Sequence, residues 1–447
     1  MKLRLHLLAA LFCLSLSAMA ADYDLNEPFG FCTVSSRTAA TAYNITGGGC
    51  YTYPVTGASD SKVATLVSNG KDMKSDIQNT INANDVIVFD GSNGDFLVSS
   101  VINLQSIKNK TFIGINNARL CTTWYVTDEI RNALDKAGVP NMSTSSGTGG
   151  TLSNGVSVSE QAEYKTRQII IDLTGDKSEA YRNSGIFYMK SCENIIIRNI
   201  AFAGPGSIDV GGSDLLSFYG TKNCWVDHCA FTDGMDGNFD ITQKSDFNTV
   251  SWCTFSYTDR SYMHQNTNLV GSSDSETTGY LNTTFAYNMW GAKCRARMPM
   301  ARVGKIHMLN NYFNCAGNGS ACINPRKNSE FLVEGNYFAS GISKYYSQSG
   351  AIAVTWTSTN NKSADSFGDK VTVPYKYTEA PVKDIPTLVG ENAGATLTFE
   401  DKPVEVDGIT QSIVNNPQPT TYNLYGQRVS PDTRGIVIVN GRKIFRK

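Results

Sequence analysis

The chain has 447 residues, of which only 18% are charged. Its 39 basic and 40 acidic residues give a net charge of −1, and no basic block interrupts the sequence. This balance excludes a protein that binds nucleic acid through a broad basic surface, so a polyanion could bind only at a local site.

The first twenty residues predict a secretory signal peptide. Lys2 and Arg4 give a basic start, an apolar run follows from Leu7 to Leu16, and Ala18-Met19-Ala20 supplies a small-residue cleavage pattern. The apolar run is too short to span a membrane, and no second such run follows it. We therefore expect a secreted protein without a membrane span, located in the periplasm, at the cell surface or outside the cell.

Residues 21–390 predict an all-β domain. Short β-branched and aromatic runs alternate with clusters of Asn, Asp, Ser and Gly, and helical periodicity is scarce. Six such runs end on an aromatic residue at similar intervals along the chain: Phe202, Phe231, Phe255, Trp290, Phe313 and Phe338. One such repeat cannot bury its own apolar face, so the repeats must stack into a solenoid, a parallel β-helix with surface loops.

A β-sandwich is the competing fold. It would show turn signals about every ten residues and a clean two-residue periodicity. Hairpin dipeptides such as Asn-Gly are few in this sequence, which favours the solenoid. Residues 122–139 have helical spacing and predict a short helix near the N-terminal part of this domain.

Apart from Cys13, the cysteines would lie in a compartment where disulfides persist. Cys315 with Cys322, and Cys32 with Cys50, are close enough in sequence to form local disulfides. A different role is expected for three cysteines in apolar strand-like runs, which we predict to be small buried core residues: Cys224, Cys229 and Cys253.

The stretch DHCAFTDGMDGNFD, residues 227–240, raises the question of a cation site. Gly237 and Asn238 favour a turn, which would fold the carboxylates of Asp236 and Asp240 toward each other. Residues one coil apart in a β-helix lie about 4.8 Å apart. Asp214 precedes Asp240 by close to one coil length, so it would approach from the preceding coil.

Three carboxylates without sulfur or imidazole predict a hard cation, Ca²⁺ rather than Mg²⁺. The alternative is that these aspartates are solvated turn residues. The same spacing argument places four residues in one polar column, each close to one coil length after the one before: Asp214, Asp240, Asn266 and Arg297.

The stretch RMPMAR contains Arg297 and Arg302 around Pro299, which prevents a continuous helix. Guanidinium groups bind carboxylates in a bidentate manner, so this pair suits a ligand that carries carboxylates. The alternative is that both arginines pair with surface Asp or Glu.

The composition changes again near Glu391. Residues 391–420 predict a linker, and residues 421–447 resemble the C-terminal sorting segments of exported bacterial proteins.

Four stretches occur together in one order: DLLSFYGTKNCWVDHCAF, DGNFDITQKSDFNTVSW, NLVGSSD and RMPMARVGKIHMLNNYF. In order and wording they resemble the pectate lyases of the first polysaccharide lyase family. The resemblance covers about residues 180–340 and implies a right-handed parallel β-helix. It also implies cleavage of α-1,4-linked polygalacturonate (pectate) by β-elimination.

The resemblance places the family's calcium ligands on Asp214, Asp236 and Asp240, its catalytic arginine on Arg297 and a substrate-binding arginine on Arg302. Two positions depart from the family pattern. Gly212 stands where some members have a further aspartate, and Asn266 stands where the family has a substrate-binding lysine. Three cations could replace that lysine: Arg260, Lys293 and Lys305.

Arginine ordinarily keeps its proton far above neutral pH, so an arginine base predicts an alkaline optimum. Of the histidines, His228 is expected to be packed, whereas His264 and His307 could line the groove. We expect a monomer.

Three other functions remain open at this stage. A pectin lyase would act on methyl-esterified chains without calcium, and a polygalacturonase would need an acid and a base carboxylate. A non-catalytic adhesin or carbohydrate-binding protein would bind pectate without forming product.

Overall fold

The computed structural model describes residues 26–55, 62–142 and 147–398, and four backbone strands between residues 421 and 446. The predicted signal peptide, residues 1–20, lies outside the described residues. No helix in the described part of the chain is long and apolar enough to cross a membrane.

Residues up to Glu400 form one compact unit and Asp401–Lys447 a second one. Within the second unit, four short strands form one antiparallel sheet: Thr421–Tyr422, Arg428–Val429, Gly435–Val439 and Arg442–Arg446. The predicted division at residue 390 falls inside the helix Ile385–Asn392. The linker and the sorting segment stay predictions.

Three parallel sheets dominate the first unit, and the chain visits them in turn, as a parallel β-helix requires. Sheet A has ten strands: Val63–Val67, Val86–Asp90, Lys108–Ile115, Glu193–Arg198, Lys222–Asp227, Asp246–Ser251, Thr283–Ala286, Lys305–Leu309, Glu330–Glu334 and Ala353–Trp356. Sheet B has eight: Phe96–Val98, Arg119–Thr122, Ala201–Ala203, Ala230–Thr232, Thr254–Ser256, Met289–Trp290, Tyr312–Phe313 and Tyr337–Phe338. Sheet C has seven: Ile102–Gln105, Phe187–Lys190, Leu216–Tyr219, Phe239–Thr242, Leu269–Val270, Met300–Ala301 and Asn324–Pro325. The predicted β-helix is therefore confirmed.

The helices lie outside these sheets. They are α1 (Lys74–Ala83), α2 (Asp128–Lys136), α3 (Gln161–Thr174) and α4 (Ile385–Asn392), and a two-stranded ribbon joins Gly150–Thr151 to Ser157–Val158. Helix α2 confirms the helix predicted within residues 122–139, and Thr127 begins it by accepting a hydrogen bond from the Ile130 N–H. Short 3₁₀ turns complete the set: Gly30–Thr33, Gly91–Asn93, Val139–Asn141, Ala180–Asn183 and Val382–Asp384.

The six aromatic residues that end the sequence repeats are direct neighbours in sheet B. Their rings stack along the core with centroid distances of 4.9, 5.2, 5.6, 4.9 and 4.6 Å. Each ring is buried against the ring of the next coil, which accounts for the recurrence of an aromatic residue once per coil.

An asparagine ladder runs beside this aromatic stack. The Asn288 N–H donates to Asn311 Oδ1 (3.0 Å), the Asn311 N–H to Asn336 Oδ1 (3.0 Å), and the Asn336 N–H to Asn360 Oδ1 (2.9 Å). All four residues are buried. The ladder satisfies backbone donors where the chain turns from sheet A to sheet B.

The ten described cysteines are all buried free thiols, so the predicted local disulfides Cys315–Cys322 and Cys32–Cys50 are wrong for this structure. Cys224, Cys229 and Cys253 lie in the core, as predicted.

Replacement of Asn311 by Ala removes one acceptor and two donors from the ladder and leaves buried backbone groups unpaired. We expect the free energy of unfolding to fall by about 2–4 kcal/mol, as measured by urea denaturation. Asn314→Ala, at an exposed position of the same coil, is the matched control. Equal stability of the two variants would contradict the structural role of the ladder.

Candidate active site

The outer face of sheet C carries the candidate site. Four residues on consecutive strands are in direct register: Asn103, Tyr188, Ser217 and Asp240. Their strand neighbours Leu104, Met189, Phe218 and Ile241 are buried in the core. Because side chains alternate between the two faces of a strand, this register directs the carboxylate of Asp240 outward.

Asp214 reaches the same face from the turn that precedes its strand. Its Oδ2 accepts a hydrogen bond from the Ser217 hydroxyl at 2.9 Å. Its Oδ1 is buried and has no hydrogen-bond partner among the described residues. Asp240 Oδ1 accepts the Leu269 N–H at 2.9 Å. Both carboxylates are thus held in place, and one oxygen is left unsatisfied.

The predicted column is wrong in register. Asp240 pairs with Ser217, three residues after Asp214, and Asn266 pairs with Ala296 rather than with Arg297. Coil length varies at the turns, so equal sequence intervals do not ensure alignment. The side chains of Asp214 and Asp240 nevertheless meet, because Asp214 extends from a turn.

Gly237 keeps a space open between these two carboxylates. A Cβ at this position would lie 2.7 Å from Asp214 Oδ1 and 3.3 Å from Asp240 Oδ1. Any larger side chain would therefore enter the space where an ion could contact both oxygens.

Like charges and burial perturb the two acids strongly. Burial raises the pKa of Asp240 to about 7, although the charge of Arg297 opposes this and that of Asp236 adds to it. The pKa of Asp214 is raised well above its usual value, first by burial and then by the charges of Asp240 and Asp236. Two neighbouring carboxyl groups that resist ionisation in this way suit a divalent cation, which would stabilise the charged form of both.

Among the described residues, no group of three or more His, Cys, Asp or Glu side chains is arranged to hold a metal ion as it stands. Asp236 is turned toward His264, whose Nε2 lies 2.9 Å from Asp236 Oδ1. The structure therefore brings together Asp214 and Asp240, while the third predicted ligand is engaged by a histidine.

The sequence did not single out Asp209, a fourth carboxylate beside this group. Asp209 Oδ1 lies 3.8 Å from His264 Nδ1, so the imidazole bridges Asp209 and Asp236. Burial lowers the pKa of His264, but the hydrogen bond and charge of Asp236 and the charge of Asp209 outweigh it and raise the pKa overall. His264 thus lies beside the acid pair, which fits the prediction that it could line the groove.

Arg297 lies at the same cluster, since its charge acts on Asp214, Asp240 and His264. Its backbone is in the left-handed region with φ of 60°, and its carbonyl oxygen accepts the Asn268 N–H at 2.7 Å. Asn266 stands beside it, with Nδ2 3.1 Å from His264 Nε2 and its carbonyl oxygen bound by the Tyr257 hydroxyl.

Arg302 has a surface partner. Its Nε donates to Asp274 Oδ1 at 2.9 Å, and one terminal nitrogen donates to the Gly271 carbonyl oxygen at 2.9 Å. The side chain of Asp274 is 65% exposed, so this ion pair is weak and readily exchanged.

No described contact links the other candidate cations to these acids. Arg260 lies 5.2 Å from the centre of the Tyr125 ring, and Lys293 pairs with the exposed Asp259. Lys305 is buried in sheet A and donates to the Thr372 carbonyl oxygen at 3.1 Å. A substrate role for Arg260 or Lys293 stays a prediction.

The other two histidines in the described part of the chain are core residues. His228 is buried with Nδ1 2.6 Å from Asp227 Oδ2, as predicted. His307 is also buried, with Nε2 3.0 Å from Glu334 Oε1 in sheet A. It does not line the groove, contrary to the prediction.

Residues 141–384, more than half of the chain, match the family model described as pectate lyase. The chain belongs to the pectate lyase family. This membership confirms the family that the four motifs resemble.

Individual pectate lyases show how far this likeness extends. Probable pectate lyase A of Aspergillus niger is 34% identical over 226 residues, which cover 47% of this chain and 65% of that protein. Pectate trisaccharide-lyase of Bacillus licheniformis is 32% identical over 221 residues, covering 45% of this chain and 60% of that protein. The chain thus spans less than two thirds of these relatives. A solved mutant of Bacillus subtilis pectate lyase is 20% identical, covering 83% of this chain and 99% of that one, with a TM-score of 0.49.

Gly237→Ala tests the space between the carboxylates. The backbone of Gly237 is outside the left-handed region, so alanine causes no backbone strain, but its methyl group would displace Asp214 Oδ1 and block an ion. We expect the calcium affinity, measured by titration calorimetry, to fall at least tenfold. Gly390→Ala is the control, because a Cβ there meets nothing within 4 Å. Unchanged calcium affinity in Gly237→Ala would rule out this position.

Asp240→Asn tests the charge of the pair. The folded pKa of about 7 exceeds the usual 3.8, so the folded state binds the extra proton and loses stability as the pH rises from about 4 to 7. Asparagine keeps the acceptor without the charge. In chelator at pH 8 we expect the melting temperature of the variant to exceed that of the unchanged protein by at least about 2–4 °C. At pH 5 we expect this difference in melting temperature to be smaller.

Calcium should then raise the melting temperature of the unchanged protein at pH 8 but not that of Asp240→Asn. A difference between the two proteins that does not grow with pH would contradict the raised pKa.

Proposed function

We propose that this protein is a secreted pectate lyase that cleaves α-1,4-linked polygalacturonate by calcium-assisted β-elimination, with Arg297 as the base. The observation that supports this most is the pair Asp214 and Asp240, which share an open space beside the charge of Arg297. The names of the relatives supply the substrate class. The signal peptide predicted for the first twenty residues supports secretion.

Calcium fits the residues present. Asp214 offers an unsatisfied buried oxygen. Across the space kept by Gly237 lies Asp240 Oδ1, which accepts only the Leu269 N–H and keeps a second lone pair, and oxygen ligands are those that calcium prefers. Asp236 would join them after exchanging its contact with His264. When bound, the ion supplies positive charge beside the substrate carboxylate, where negative charge accumulates in the reaction.

Arg297 would remove the proton at C5 of the galacturonate unit. The C5–H bond breaks, its electron pair forms the C4=C5 double bond, and the O4 sugar leaves with the C4–O electrons. Neutral guanidine is scarce at ordinary pH because the guanidinium ion is a very weak acid. The rate should therefore rise toward alkaline pH.

Arg302 would orient the substrate. Its weak pair with the exposed Asp274 can give way to a substrate carboxylate, which guanidinium binds in a bidentate manner. The negative charge that develops next to C5 is then stabilised by a fixed donor rather than by mobile water. Asn266, which lacks a charge, contributes at most a neutral hydrogen bond.

Two enzymes remain alternatives. A calcium-independent pectin lyase would act on neutral esters and would not need two acids around an open space. A polygalacturonase could use Asp240 as a general acid, since a pKa of about 7 keeps it protonated near neutral pH. A hydrolase leaves no double bond, so ultraviolet absorbance separates it from a lyase.

Incubation with polygalacturonate should give ultraviolet absorbance that chelator abolishes and calcium restores. Arg297→Gln should lower kcat by about 10²- to 10⁴-fold, the usual range for a general base, whereas the exposed neighbour Arg295→Gln should change it less than twofold. Absorbance that resists chelator would favour pectin lyase. Reducing ends formed without absorbance would favour hydrolysis, and binding without any product would favour an adhesin.

A further inference from the structure

We propose that the cleft on the N-terminal side of the acid pair is a second uronate-binding site, in which Lys74 binds the free carboxylate of a neighbouring sugar unit. This proposal rests on the proposed function, because it extends the same substrate chain along sheet C. Apart from Asp214 and Gly212 at its end, no residue of this cleft was singled out by the sequence.

The cleft has a volume of about 590 Å³ and reaches Asp214, one member of the acid pair. Asp214 and Ser217 line one end, and Lys74, Ser100, Asn103 and Tyr188 line the rest. Tyr188 is one coil and Asn103 two coils before Ser217, so the cleft extends roughly 5–10 Å along the helix axis from the acids. That distance suits an adjacent unit of a bound chain.

Lys74 begins helix α1, and its Nζ donates to the Ser100 hydroxyl at 2.7 Å. In the described part of the chain, no carboxylate lies within 4 Å of this ammonium group. Two acids lie two residues from Lys74 in sequence, Asp72 and Asp76. Asp76 is exposed in the first turn of α1. The charge of Lys74 acts on Asp72, but the hydrogen bonds of Asp72 come from the Ser99 N–H and hydroxyl and from the backbone N–H of Lys74. Lys74 is therefore positioned by a neutral partner while its charge stays available to a ligand.

Tyr188 gives this cleft an aromatic lining of the kind that binds sugar rings. Its ring packs at 5.9 Å and a tilt of 48° against Tyr219, and Lys190 Nζ lies 5.4 Å from the centre of the Tyr219 ring. A supported aromatic face with a few polar groups is the usual composition of a small-molecule site. Together with the Asn103 amide, it provides contacts for a sugar ring and its hydroxyls.

The chemistry of the cleft selects a charged sugar. An ammonium group without an acidic partner gains a charge-assisted hydrogen bond from a carboxylate but not from a methyl ester. We infer that this site favours an unesterified unit next to the unit at the acid pair. Long, unesterified chains should bind better than short or esterified ones.

The test measures binding without turnover. Arg297→Gln and the double variant Arg297→Gln/Lys74→Gln are titrated by calorimetry, in calcium buffer, with trigalacturonate, hexagalacturonate and methyl-esterified hexagalacturonate. Loss of Lys74 should weaken hexagalacturonate binding roughly 5- to 10-fold, as expected for one charge-assisted hydrogen bond at a partly exposed site. The weakening should be smaller for trigalacturonate and for the ester, so the preference for the free acid falls.

Lys71→Gln on the same background is the matched control, because Lys71 is exposed, lies three residues earlier and does not line the cleft. Three results would overturn the proposal. The Lys74 and Lys71 variants could lose the same affinity for hexagalacturonate, or the Lys74 variant could lose less than twofold. The Lys74 variant could also lose the same affinity for the free acid and for the methyl ester. The absence of hexagalacturonate binding would overturn it as well. Failure of the lyase function is seen separately, as no ultraviolet product from the unchanged protein, and the calorimetry still decides on Lys74.

Discussion

The regular stacking of coil on coil is the constraint from which the site follows. Parallel strands fix neighbouring coils at about 4.8 Å, so residues far apart in sequence become neighbours at set distances. The backbone ladder alone does not fix which residues align. The stacked rings from Phe202 to Phe338 and the buried ladder of Asn288, Asn311 and Asn336 add side-chain contacts that a shifted register would break.

This rigid register also forces charges together. Asp240 is set by its strand, and Asp214 is held by the Ser217 hydroxyl, so neither carboxylate can move far from the other. The fold therefore maintains an electrostatically unfavourable pair, which is visible in the raised pKa values of both acids. An acid pair of this kind lowers stability unless a cation binds it, as expected where function rather than stability selects the residues.

Much of the fold could be predicted because its signal is periodic. An aromatic residue recurs once per coil, and each pair predicted as neighbours is adjacent in sheet B. The asparagine ladder had a signal too, since Asn288, Asn311 and Asn336 each precede a stacked ring by two residues. The predicted disulfides had no such periodic basis, and their sulfur atoms are core thiols instead.

The site was harder to predict because it is built from turns. The interval between Asp214 and Asp240 matches one coil length and suggested direct pairing, yet Asp240 pairs with Ser217 instead. Sequence intervals include the turn residues, and the number of these varies from coil to coil. Strand pairing does not depend on that number. The bridge from Asp209 through His264 to Asp236 joins bends that carry no periodic pattern, so only coordinates reveal it.

The distribution of cations fits the polyanionic substrate that we propose for this chain, despite its net charge of −1. Arg297 and Arg302 lie toward the C-terminal coils from the acid pair, and Lys74 and Lys190 lie toward the N-terminal ones. The acid pair would repel a pectate chain by itself. On the proposed function, the flanking cations would attract the chain on both sides, since local fields of this kind act over short distances regardless of net charge. A bound ion would then need to neutralise only the central contact, where Arg297 would remove the proton.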